Sequence, residues 1–144
     1  MVDTVVDDLS VFGQTVTVAD GGGIGSDAEI VDSTLNIEEG AVGNELTVID
    51  SEVNISGGEV GNEFDALDGS VVNISGGEVG LNFDAFAGSE VNVSGGEIGT
   101  LFDARAGSVI NLSDGAIGDF ASASTGTVFN VTGGELGDLS LIHI

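Results

Sequence analysis

Residues Ser51–Gly107 read SEVNISGGEVGNEFDALDG, SVVNISGGEVGLNFDAFAG and SEVNVSGGEIGTLFDARAG, three copies of one 19-residue phrase with no insertion between them. A period in this range marks a solenoid, in which each copy forms one coil stacked on the last. On the C-terminal side, Ser108–Gly126 follows in register with VINLSDGAIG at 109–118, its Phe120 displaced by one place. A partial copy opens at Thr127 with VFNVTGGELG. On the N-terminal side, Ser33–Asp50 is one residue short, with LNI at 35–37 and AVG at 41–43. Residues 14–32 hold a divergent copy, with VTV at 16–18 and one extra residue around GGGIG at 21–25. Residues 1–13, with Val5, Val6, Leu9, Val11 and Phe12 as buryable groups, read as a degenerate first coil or a cap.

Aligned copies give columns. Apolar residues recur at the third place (Leu35, Val53, Val72, Val91, Ile110, Phe129) and the fifth (Ile37, Ile55, Ile74, Val93, Leu112, Val131). Asn stands between them in six successive copies, at Asn36, Asn54, Asn73, Asn92, Asn111 and Asn130. This alternation describes a half-buried strand with the Asn turned away from the core or into a turn. Val42, Val60, Val79, Ile98, Ile117 and Leu136, after the Gly-Gly turn, mark a second short strand. Phe64, Phe83 and Phe102, with Ala66, Ala85 and Ala104, mark a third. Three short strands per coil predict an all-β chain, a parallel β-helix (β-solenoid) of about seven coils roughly 4.8 Å apart. The expected hand is right, because the hexapeptide pattern of left-handed helices is missing.

Composition narrows the function. One Arg, Arg105, stands against 25 acidic residues, for a formal net charge of -24. Nucleic acid and anionic membrane surfaces both need a basic footprint, so neither is an expected partner. The balance suits salty water or metal cations. No 18-residue apolar run exists to insert in a membrane, and residues 1–12 lack the pattern of a signal peptide. The 25 Gly and absence of Pro fit a chain that turns sharply at fixed intervals and keeps its ladder hydrogen bonds. No Cys is present, so ladder bonds rather than disulfides must hold the fold.

The phrase VNISGGEVG…FDA…GS resembles the Gly-Gly-x-Ile/Val-Gly β-helix repeats of secreted and surface proteins from bacteria, over most of residues 14–138. That resemblance implies an extracellular or cell-surface location and a role as a stalk, an adhesin arm or a module of a polysaccharide-active protein. Gly22-Gly23-Ile24-Gly25-Ser26-Asp27 also resembles the GGxGxD of calcium-binding RTX repeats, but it occurs once where that roll repeats it every nine residues. The last six residues, LSLIHI at 139–144, resemble the translated end of a sequencing-library adapter, which implies a non-native tail on a truncated coil. On that reading the lone His143 is neither ligand nor base.

Two acidic columns are the candidate metal ligands: Asp65, Asp84 and Asp103 in one, and Glu59, Glu78 and Glu97 in the other, continued at Glu135 beyond Ala116. Carboxylates stacked one coil apart repel by roughly 1 kcal/mol in bulk water. Salt screens that repulsion and calcium bridging adjacent coils would reverse it, so calcium is the one cofactor to weigh against a plain solvated face. The Asn column, with Ser56, Ser75, Ser94, Ser113 and Thr132, reads N-x-S/T five times. It is a glycosylation acceptor series in a eukaryotic secretory pathway and an amide ladder in a bacterial solenoid. Ice-binding solenoids show Thr-rich pairs, which are absent here.

In polysaccharide lyases built on a β-helix an Arg acts as base near carboxylate-bound calcium, which makes an enzyme reading of Arg105 possible. Arg105 lies two places from Asp103, but Leu67, Phe86 and Ser124 fill its place in neighbouring coils, which reads as a variable corner. The expectation is a non-catalytic structural or adhesive segment of a larger extracellular protein, with a polysaccharide or cell-surface ligand as its partner. The alternative is a carbohydrate-active β-helix, or its accessory module, whose catalytic part lies outside this chain or around Asp84, Asp103 and Arg105. An open last coil is expected to favour end-to-end self-association.

Overall fold

The computed structural model describes residues 5–138 and the backbone of Leu141–Ile142. Among the described residues there is no helix, and the strands form three parallel stacks wound into about seven turns. The first face stacks Thr15–Val18, Thr34–Ile37 and Glu52–Ile55 and continues through the later VNI-type segments. The second face stacks two-residue strands such as Gly23–Ile24, Ala41–Val42 and Glu59–Val60. The third runs from Ser10–Phe12 through Glu29–Val31, Thr47–Ile49 and Asp65–Ala66 to Ser122–Ala123 and Leu141–Ile142. Residues 139–140 and 143–144 lie outside the described residues, and with them most of the adapter-like tail.

Ladder partners in the clean copies differ by 19 residues, so Ile55 stands on Ile74 and Ile74 on Val93. In the shorter preceding coil the step is 18, as in Ile37 on Ile55. Alternation sets which side chains enter the core. Strand Thr47–Ile49 buries Val48 fully and leaves Thr47 and Ile49 half-covered. The core is one narrow column of Val, Ile, Leu, Ala and Phe, closed in its middle by Phe64, Phe83 and Phe102. Phe64 and Phe83 stack face to face, with centroids 4.5 Å apart, and Phe83 meets Phe102 at 5.1 Å and 53°. Phe120 is not part of this column. It is half-exposed, and Ala121 fills the buried place.

Three corners join the faces. At the first, Val71–Val79, Glu90–Ile98 and Val109–Ile117 bend through the Ser-Gly-Gly or Ser-Asp-Gly step as continuous strands with a register shift. The coils approach so closely there that a Cβ on Gly76 would overlap the Ser56 carbonyl oxygen. Only Gly provides that clearance.

At the second corner one residue per coil is left-handed: Asp27, Glu45, Glu63, Asn82, Leu101 and Phe120, with φ between 57° and 65°. Such a conformation costs a non-Gly residue about 1–2 kcal/mol. A regular bond compensates it, because each of these N–H groups donates to a carbonyl of the next coil, as Glu45 does to Asn62 at 2.8 Å. The third corner closes with Gly69, Gly88, Gly107 and Gly126 in the later coils.

Candidate functional site

The six Asn side chains face outward from the first face and form a ladder of uniform direction. Each Nδ2 donates to the Oδ1 of the Asn one coil before it, from Asn54 to Asn36 (3.0 Å) through Asn130 to Asn111 (2.8 Å). The amide nitrogens of Asn54, Asn73, Asn92, Asn111 and Asn130 are thereby engaged. The following Ser hydroxyls lean back onto strand carbonyls, as Ser113 does onto Val93 at 3.3 Å.

The acidic columns stand on different faces. Glu59, Glu78 and Glu97 pair in register on the second face and are exposed. Asp65, Asp84 and Asp103 pair in register on the third and are half-covered. Among the described residues no group of three or more carboxylate, imidazole or thiol side chains converges as a metal ion requires. An open groove of about 660 Å³ lies where the second corner meets the third face. Asp27, Glu29, Glu45, Glu63, Asp65 and Asp84 line it, with Thr47 and Asn82. The Asp27 charge raises the Glu45 carboxyl above its ordinary pKa, reinforced by a hydrogen bond to Asp27 and by Glu63. Asp65 is raised chiefly by burial, then by Asp84 and Glu63, against an opposing pull from Arg105.

Arg105 sits at the end of this acidic face. Its Nη2 donates to Asp84 Oδ2 at 2.6 Å and lies 3.7 Å from Asp103 Oδ2. Its guanidinium carbon is 4.6 Å from the centre of the Phe86 ring, a cation–π contact. The hydrogen bond to Asp84 raises the guanidinium's pKa further, so Arg105 holds its proton. Asp103 also accepts a 2.7 Å bond from the Ser122 hydroxyl.

Two columns carry weight that the reading of the sequence did not give them. Ser33, Ser51, Ser70, Ser89, Ser108 and Thr127 are the buried polar residues among those described. Their hydroxyls donate to carbonyls of the third face or its corner, as Ser70 does to Val48 (3.0 Å) and Ser89 to Phe86 (2.6 Å). The signal was available: each opens the phrase two places before an inward Val, Leu, Ile or Phe, so alternation already turns it inward. The second column is the place of Arg105. Phe12, Val31 and Ile49 are in register there, and Leu67 and Phe86 continue the stack, giving an unbroken apolar stripe over five coils. What reads in the sequence as a variable corner is thus apolar from the first coil to the fifth.

Comparison with protein-family models, with curated proteins and with solved structures found no significant match.

Proposed function

We propose that this chain is a non-catalytic structural or adhesive segment of a larger extracellular protein, a stiff rod that sets distance and displays repeated columns. The observation that supports this reading is the in-register stack itself. The same side-chain columns recur coil after coil, and the acidic and amide groups belong to the repeat rather than to one coil. A rod built this way resists bending because every coil is bonded to its neighbours on three faces. Its acidic surface repels anionic polymers, keeps rods apart in dilute salt, and lets cations tune their approach. Among the described residues no helix is long and apolar enough to cross a membrane.

A polysaccharide-lyase role is the second reading, and the approach of Arg105 to Asp84 and Asp103 favours it. A base must be able to lose its proton, however, and this guanidinium is held charged. The deciding experiment is an assay for unsaturated products from acidic polysaccharides with millimolar calcium. No product is expected from the wild type or from Arg105→Ala. Product from the wild type, lost in Arg105→Ala, would overturn the rod reading in favour of the lyase. Calcium itself is tested by melting: a larger rise in Tm with calcium than with ionic-strength-matched sodium establishes bridged columns, and equal rises leave screening alone.

A further inference from the structure

The apolar stripe on the third face runs parallel to the solenoid axis. Phe12 is 68% exposed, and Val31, Ile49, Leu67 and Phe86 are each half-covered by their stacked neighbours. Five residues at one per coil span roughly 19 Å. Carboxylates flank the stripe on both sides. Glu29, Asp65 and Asp84 stand two places earlier on the same face, and Asp32, Asp50 and Asp68 stand exposed at the adjoining corner. An apolar strip between two acidic rows has a definite complement: a side chain with a long apolar stem and a flat cationic head. The chain supplies one example within itself. Arg105, next in the column after Phe86, stacks on that ring and bonds to Asp84 in the flanking row.

We propose that this stripe is a docking surface for an extended, Arg-rich segment of a partner protein, which lays Arg stems along Val31, Ile49, Leu67 and Phe86 and sends guanidinium groups to the carboxylate rows. An extended peptide presents same-side residues about every 6.8 Å, so three alternate Arg residues fit the strip. Arg is favoured over Lys because its planar head stacks on an aromatic face and pairs with carboxylates in a fork. A second copy of this chain does not fit, because acidic rows would face acidic rows and its one Arg is already paired. The inference extends the adhesive part of the function proposed above; its failure would leave the rod itself standing.

The test uses the whole chain and two ten-residue probes of equal charge, one alternating Arg and Ser and the other Lys and Ser, titrated by calorimetry and by NMR. The Arg probe should bind about tenfold tighter than the Lys probe, a gap of about 1.4 kcal/mol. Shifts should concentrate at Val31, Ile49, Leu67 and Phe86. Leu67→Ser and, separately, Asp68→Asn should shrink the Arg preference while the melting profile shows a folded chain. Glu78→Gln on the second face should leave the preference unchanged. Equal affinities, or shifts centred on Glu59, Glu78 and Glu97, would mean unspecific attraction to an acidic rod and would overturn the proposal.

Discussion

The coils of residues 5–50 and those of residues 51–107 fill one triangular cross-section by different means. In the later coils the third corner is a four-residue turn, closed by a bond from the Ser70 N–H to the Leu67 carbonyl (3.1 Å) and repeated at Ser89 and Ser108. In the earlier coils Asp32 and Asp50 turn the corner alone, with φ of 48° and 46°. There the Ser33 N–H bonds instead to the Ser51 hydroxyl at 3.1 Å. The core differs as well, since Ala28 and Leu46 occupy the place of Phe64, Phe83 and Phe102. What both regions keep is strand register and the buried hydroxyl column. Register is therefore the fixed requirement, and corner length and core volume adjust around it.

If the Phe column gives the middle coils their stability, Phe83→Ala should cost about 3–5 kcal/mol in a urea titration. Leu46→Ala should cost less, about 2–3 kcal/mol, because a Leu side chain is smaller than Phe and one of its two stacked neighbours is only Ala28. A larger loss at Leu46 would reverse the ranking of the two regions. At the first corner of the middle coils, Gly76→Ala should cost about 1–3 kcal/mol, because backbone must move to admit the methyl group. Little or no change in the urea midpoint would mean that the coils are less tightly stacked than the geometry states.

The amide ladder sharpens the contrast within one column. Asn73 both donates to Asn54 and accepts from Asn92, whereas the Asn36 side chain accepts from Asn54 and, among the described residues, makes no second side-chain bond. Asn73→Ala should cost about 1–2 kcal/mol and Asn36→Ala about half of that. Equal losses would show that the ladder does not act through its bonds. The smallest effect concerns Asp65, whose carboxyl is raised in the folded chain, chiefly by burial. The stability tied to such a group is complete below the unfolded carboxyl's range and is lost as pH rises through the folded value. Asp65→Asn should therefore raise Tm at pH 7, with the advantage shrinking to nothing in acid. An advantage that grows in acid would reverse the sign and the assignment.

The fold was legible because its determinants are periodic. The spacing of Ile55, Ile74 and Val93 states the coil, and the alternation around Asn73 states which side faces in. The site was less legible for two physical reasons. Left-handed corners accept Asp, Glu, Asn, Leu and Phe alike, because a backbone bond compensates the strain, so no residue type announces them. The outward stripe of Val31, Ile49, Leu67 and Phe86 varies in residue type while keeping its polarity. It becomes a surface only when the coils are stacked, because the third corner's change from one residue to two hides the alignment of Ile49 with Leu67 and Phe86. Columns lying within the unbroken 19-residue copies, such as the Asn ladder and the Asp row, were visible without coordinates.

Consider last that the coil-to-coil contact is nearly the same at every step through the middle of the chain, with equivalent partners 19 residues apart on all three faces. Unequal crossing-over within the gene can then add or delete a whole nineteen-codon block without creating a junction the protein has not already packed. Length becomes a trait that recombination alters in whole steps of roughly 4.8 Å. A lineage could thereby lengthen or shorten this solenoid by whole coils faster than point substitution could remodel any surface on it.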